Sequence, residues 1–371
     1  MNATKTMAAA FALGALMGAV GRGARAEWQS IVEIRTETPE RWTETYETPW
    51  RTVQINVPIG VPDVDAFPIV RVTKAPAVEE SRLANYAQVM DNEKGLLYIV
   101  SSDDELAILN NNEYYKNIYE FESEEAPDIC AENHPLTARE ALERLEAELE
   151  RLTGLQAGDF ALEKTTVYDC VWKFKTAQGE RIFTKPVSET GEYAFEFSQK
   201  IEGIPFRACT QCYADSFGRD TWAELGNIFG SLWKKEGIKI SASLLSVVDL
   251  PQADVLMLSF EDAKKAFEAG IMAGRLRSID RMELAYAPYV DPAEPDTWWL
   301  LPVWYVRGGY TRNAQKEFKS FYRKDGALED DGIERAEVVF EAQKGVLMDY
   351  DDADKGRRDV PKLIMWEDIQ Q

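Results

Sequence analysis

Five side chains in this 371-residue chain can bind a soft metal, form disulfides or exchange a proton near neutral pH: Cys130, His134, Cys170, Cys209 and Cys212. Cys130 and His134 are spaced C-x3-H, and Cys209 and Cys212 C-x2-C, a set that could assemble a tetrahedral Cys3His zinc site. The long separation of the two halves counts against it. In an oxidising compartment the same cysteines favour two disulfides, with three possible connectivities. An extended backbone would set Cys209 and Cys212 about 10 Å apart on opposite faces, at about 3.3 Å per residue. That exceeds the roughly 7 Å a disulfide can span, so bridging them requires a turn. By parity Cys170 shares a face with Tyr168, Trp172 and Phe174, and Cys212 with Ile204 and Phe206, which fits a Cys170–Cys212 contact. Free thiols are the third possibility, and disulfides are favoured over zinc.

Acid–base chemistry has few candidates outside the carboxylates. His134 is the sole histidine and precedes Pro135 at the mouth of a helix, where a surface or capping role is the commoner one. No G-x-S-x-G elbow supplies a serine for a triad, and no phosphate-cradling glycine loop is present, so no cofactor is expected. Paired carboxylates could run glycoside hydrolysis without histidine, given two acids about 5 to 10 Å apart across a cleft. With 64 acids in the chain no pair stands out, and a solvated acidic surface is the simpler reading. The tail "DYDDADKGRRD" departs from a calcium loop at Gly356 and lacks a closing glutamate, which leaves an acidic turn.

Elements must position any such residues, and three regions separate by composition. Residues 27–128 read as strands ("TVQINVPIGVPD", "FPIVRVTKAP", "GLLYIV") with a helix expected at Val78 to Met90, ending in the acidic linker "ESEEAPD" at 122 to 128. Residues 129–240 open with "LTAREALERLEAELERL", an amphipathic helix with Leu142, Leu145, Leu149 and Leu152 on one stripe and a capping box from Thr137 to Glu140. Alternating runs follow, with a hairpin turn at Glu202-Gly203. Residues 241–371 repeat the device: a weaker cap from Ser259 to Asp262, a helix carrying Phe260, Ala263 and Phe267, then strands with a turn at Lys344-Gly345. The expected fold is α+β: tandem small modules of a helix packed on an antiparallel sheet, preceded by a strand-rich N-terminal region.

The phrases "GEYAFEFSQKIEGIPF", "LLPVWYV" and "EVVFEAQKGVLMDYD" resemble the PepSY-like modules of exported bacterial proteins, including extracytoplasmic regulators of the YycH and YycI type and related proteins of Gram-positive gut bacteria. The resemblance covers about 130 to 371. It implies a non-enzymatic role outside the membrane, binding or inhibiting a peptidase or modulating a sensor, and it brings no catalytic residues.

Residues 1–26 have the layout of a secretory signal peptide: Lys5, an apolar run from Met7 to Val20, and Ala24-Arg25-Ala26, with cleavage expected after Ala26. A retained N-terminal anchor is the alternative. Cleavage removes Lys5, Arg22 and Arg25 and moves the net charge from -22 to -25, which disfavours nucleic acid and anionic lipid as partners. No later run is long enough to span a membrane. The expectation is an exported binding or regulatory protein acting on an envelope or extracellular protein; the alternative is a carboxylate-dependent envelope glycoside hydrolase or a carbohydrate-binding protein. The aromatic stretch "TWWLLPVWYVRGGY", residues 297 to 310, is apolar on both faces and reads as a strand covered on both sides, with Pro302 marking an edge or a bulge. Trp299 and Tyr305 are its candidate interface residues.

Overall fold

The computed structural model describes residues 28–49, 51–101, 113–114, 117–123, 125–169, 172–173, 176–177, 180–181, 191–207, 226–233, 237–272, 274, 276–291, 294–310, 334–343, 346–349 and 362–364. Four α-helices occur among them: α1 (Ile31–Glu37), α2 (Glu80–Leu83), α3 (Ala138–Thr153) and α4 (Phe260–Met272). Everything else that is regular is strand, apart from one 3-10 turn at Ala157–Asp159.

Local chemistry accounts for the helices. The Thr137 hydroxyl accepts from the Glu140 amide (3.2 Å) while the Glu140 carboxylate accepts from the Thr137 amide (2.8 Å), closing the capping box. At the far end Gly154, at φ 79°, takes the left-handed conformation, and its amide bonds the Glu150 carbonyl (2.8 Å). At α4 the shorter Asp262 accepts from the Ser259 hydroxyl (3.0 Å), and that hydroxyl accepts from the Asp262 amide (3.2 Å). The helix expected over Val78 to Met90 is confined to α2. Residues Gln88–Glu93 instead pair with Leu96–Val100 across a turn whose Gly95 has φ 83°. Hairpin pairing overrides a weak helical preference there.

Most of the described strands assemble into two large sheets, and three two-stranded pairs lie outside them. The first runs Gln88–Glu93, Leu96–Val100, Gly237–Ser243, Asn227–Trp233, Glu192–Ile201, Phe160–Asp169, Asn117–Phe121, all antiparallel. Ile204–Pro205 folds back on Glu192–Ile201 through Glu202 (φ 53°) and Gly203 (φ 76°), the two positive angles of a type I′ turn. The second runs Arg41–Glu47, Thr52–Gly60, Arg281–Asp291, Glu294–Tyr310, Glu334–Glu341, Val346–Asp349, Lys362–Ile364. Ile69–Lys74 also joins Glu294–Tyr310, and Leu245–Gln252 joins Ile69–Lys74. Its one parallel contact sets Met282 and Glu283 beside Ile59 and Gly60.

This architecture corrects the expected fold class. The molecule is dominated by eight- and nine-stranded sheets and is not a tandem of small helix-on-sheet α+β modules. Strands from residues 41–121 are built into both sheets, and a single run of chain, Gly237 to Gln252, leaves the first sheet at Leu244 and enters the second. Hairpin neighbours stay paired, yet each large sheet also takes in strands from distant parts of the chain, so neither is built from one contiguous segment.

Each long helix buries its apolar stripe on one sheet. Leu142, Leu145, Leu149 and Leu152 pack with Phe195, Phe197, Ile228, Leu232 and Ile240 of the first sheet. Each such buried side chain contributes about 1.5–3 kcal/mol. On the second sheet Phe260 of α4 meets the edges of Trp42 and Trp304, with ring centroids 6.3 and 5.9 Å apart, and Phe267 meets Phe340 at 6.1 Å. Closest approach occurs at Gly230, where an added Cβ would fall 2.2 Å from a Leu145 methyl carbon. Gly230→Ala is therefore expected to destabilise by about 1–3 kcal/mol. Combining it with Leu145→Ala, which alone should cost about 2–5 kcal/mol, should cost less than the sum. Urea denaturation of the two single variants and the double variant measures this, and additive losses would contradict the contact.

Candidate functional site

Carboxylates converge with other polar groups most deeply where the two sheets meet. The Phe160–Asp169 strand carries a β-bulge: Lys164 lies opposite Glu196 and Leu162 opposite Phe197, so Glu163 is the extra residue. A bulge re-aims the side chain it frees. Glu163 turns to Ser198, whose hydroxyl donates to Oε1 at 2.7 Å. From the second sheet come Arg281 and Glu283, alternating with Met282 and Leu284, which face the core on the α4 side. Arg207 follows the Glu202-Gly203 hairpin and is fixed by its amide, which donates to the Tyr286 carbonyl (2.8 Å).

Arg207 grips both sheets at once. Its Nε donates to Glu283 Oε1 (2.6 Å) and its Nη2 to Glu283 Oε2 (2.9 Å), the bidentate fork that suits a guanidinium and a carboxylate. Its Nη1 donates to Ser198 Oγ (2.7 Å) and to Glu163, and the guanidinium carbon lies 5.8 Å from the Tyr305 ring centre. Arg281 contacts Glu163 and reaches Glu283 through Nε (2.8 Å) and Nη2 (3.2 Å). The side chains of Arg207 and Glu283 are each 7% exposed. The four charges sum to zero.

Electrostatics fix the protonation of Glu163 and Arg207. Burial would raise the Glu163 pKa, but the charges of Arg207 and then Arg281, with hydrogen bonds from Ser198 and Arg207, outweigh it and bring the value from 4.5 to about 2. Burial opposes the charge on Arg207 as well, and Glu283 and Glu163 overcome that, raising its pKa further. Neither Glu163 nor its arginine partner has a proton to exchange near neutrality.

A second, shallower gathering joins α4 to the Arg41–Glu47 strand. Tyr46 Oη donates to Glu44 and lies 2.8 Å from Glu268 Oε1, and Trp42 Nε1 donates to Tyr46 Oη (3.3 Å). Lys264 contacts Glu44 and lies 3.8 Å from Glu268. Burial, then the two carboxylates, push the phenol pKa up, so Tyr46 stays protonated. The phenol fills the space between the acids that a substrate oxygen would need.

The residues singled out by sequence are placed as follows. Tyr305 is 3% exposed beneath Arg207, while Trp299 is half-buried with Arg71 5.8 Å from its ring centre. Their shared face thus offers solvent one aromatic of the two. His134 is buried: its Nδ1 lies 3.2 Å from both the amide and the carbonyl of Leu136, and its ring sits edge-on to Tyr193 at 4.7 Å. Tyr193 in turn accepts from the Ala131 amide (2.7 Å) and donates to the Leu136 carbonyl (2.6 Å), holding the chain that leads into α3. Cys130 is exposed. Cys170, Cys209 and Cys212 lie outside the described residues, as do the 1–26 segment, Lys344-Gly345 and the 350–359 part of the acidic tail. Among the described residues no three His, Cys, Asp or Glu side chains group as a metal site, and no helix is long and apolar enough to cross a membrane.

Sequence reading missed the Arg207 cluster. The apolar positions of the Phe160–Asp169 strand move from even (Phe160, Leu162) to odd (Val167), a parity change consistent with a bulge between them. Nothing local identified Arg207.

Removing Arg207 leaves two buried carboxylates to Arg281 alone, so Arg207→Met is expected to destabilise by about 3–5 kcal/mol, read by chemical denaturation. A loss below about 1 kcal/mol would show the cluster to be well hydrated. Because the folded-state pKa of Glu163 lies below its unfolded value, its stabilisation is complete above about 4.5 and is lost as pH falls towards 2. The thermal midpoint should drop across that window, and Glu163→Gln should flatten the drop.

No protein-family model matches the chain, and no curated protein matches it. Its fold is similar to the crystal structure of an uncharacterised protein from Eubacterium rectale, at 13% sequence identity and a TM-score of 0.50, over 84% of this chain and 94% of that one. At that identity the likeness concerns the fold alone.

Proposed function

We propose that this chain is an exported, non-enzymatic binding or regulatory protein that acts on an envelope or extracellular protein partner. The observation that carries the reading is the fate of the buried carboxylates. Glycoside hydrolysis needs one carboxyl with a raised pKa facing a second acid across an open gap. Glu163 and Glu283, which come together between the sheets, are each shared by two guanidinium groups and leave no such gap. Carboxyls whose pKa burial does raise, Glu146 and Glu196, belong to opposite sides of the first sheet. Glu146 rides on α3, and Glu196 alternates with Phe195 and Phe197, which pack beneath that helix.

Export rests on the signal-peptide layout of residues 1–26. Modulation of a peptidase or a sensor is the role that the PepSY-like phrases imply. The net charge of -22 favours a partner that is neutral or basic where it docks.

A mature chain beginning at Glu27 should release no product above blank from a panel of envelope polysaccharides and glycosides, while cross-linking in intact cells should recover one specific envelope or extracellular protein. Reproducible hydrolysis, abolished by a single Asp or Glu substitution that leaves the thermal midpoint unchanged, would establish the hydrolase instead.

A further inference from the structure

Eleven large apolar side chains stand exposed among the described residues, and three of them, Val247, Val248 and Leu250, fall within four residues of one strand. Every position from Val247 to Gln252 is exposed. The Leu245–Gln252 strand pairs with Ile69–Lys74 on one side and, among the described residues, with no strand on the other. Such an edge offers main-chain donors and acceptors as well as apolar side chains, a combination that only an extended backbone satisfies.

One rung of the missing ladder is already supplied. Gln199 Nε2 donates to the Leu245 carbonyl and Gln199 Oε1 accepts from the Leu245 amide, both at 2.9 Å, reproducing the double exchange of an antiparallel pair. The polar groups of Leu245 therefore point away from Lys74, its cross-strand neighbour. By the two-residue alternation those of Val247 point the same way. Beyond Val247 the register shifts, and Pro251, which has no N–H to offer, closes the edge.

We infer that Ser246 to Leu250 is a docking strand for an extended segment of another protein, one that alternates apolar side chains and carries a basic residue. The basic residue is called for by Asp249, which stands between Val248 and Leu250, is 50% exposed, and lies 3.4 Å from Arg71 on its inner side. A second copy of this chain is the poorer occupant, since two molecules of charge -22 repel one another. This inference rests on the reading of the chain as a binding protein and names the surface and partner chemistry for it.

The probe is a fluorescein-labelled octapeptide in which valine alternates with lysine and threonine, titrated into the full chain by fluorescence anisotropy. Saturable binding is expected, and about tenfold weaker binding when alternate peptide nitrogens are methylated, because the rungs are lost. Val248→Lys and Leu250→Lys, both at exposed positions, should weaken it comparably with unchanged thermal midpoints. Absence of saturable binding, equal binding of the methylated peptide, or equal binding by both variants overturns the inference. So does a dimer in sedimentation that Val248→Lys abolishes. If cellular cross-linking recovers a protein partner at positions remote from Val248, the docking strand is wrong while the binding reading survives; if the polysaccharide screen gives hydrolysis, the binding reading itself fails.

Discussion

Burial of the Arg207 guanidinium is the constraint on which the two-sheet arrangement depends. Its donors need acceptors, and four hydrogen bonds supply them from both sheets: to Glu163 and Ser198 from one, and two to Glu283 from the other. Taking the Arg207 guanidinium and the Glu283 carboxylate out of water costs several kcal/mol per ion, recovered only when they meet their partners in good geometry. A molecule with one sheet formed and the other unformed would strand unpaired charge at low dielectric. The cluster contributes little as net stability against an apolar replacement, but it penalises every arrangement in which the sheets dock out of register. Conformational specificity is the property it confers.

The same demand appears in the path of the chain. Residues Gly237 to Gln252 pass from one sheet to the other through Leu244, whose amide donates to the Gly95 carbonyl (2.7 Å) and whose carbonyl accepts from the Ala75 amide (2.9 Å). Glu122, from the segment that composition marks as a linker, reaches Arg307 of the second sheet at 2.7 Å. Strands from the first hundred residues complete both sheets, so pairing must wait for contacts far apart in sequence. Folds built this way form slowly relative to those rich in local contacts.

Legibility in the sequence followed the range of the interaction. The α3 stripe, the Thr137 box and the Glu202-Gly203 turn depend on residues at most a few positions apart, and their chemistry is written in those residues. Sheet membership depends on register between distant strands, which alternation alone does not encode. Pro302 shows how a local signal can be sound yet point to the wrong context. It lacks a donor, which suggests an edge, but its strand is central. Ile69–Lys74 pairs with Thr297 to Leu300, and Glu334–Glu341 pairs with Val303 to Tyr310. Pro302 falls in the gap between these partners, where no N–H is required, and its carbonyl accepts from the Ala342 amide (2.9 Å).

That central position bears on where partners can meet the protein. Along the Glu294–Tyr310 strand one face is committed to the α4 core through Trp298, Leu300, Trp304 and Val306. The other carries Val303 at 0% exposure and Tyr305 at 3%, beneath Arg207. On that second face only Trp299 and Leu301 stay partly exposed near the middle of the strand. What the sheet leaves are margins, where backbone polar groups lack a neighbour and side chains have only one covered side. The two arginines of the cluster balance their own two carboxylates, so the cluster takes up none of the net charge of -22. Under the proposed binding role, margins of this kind suit an extended segment that carries positive charge.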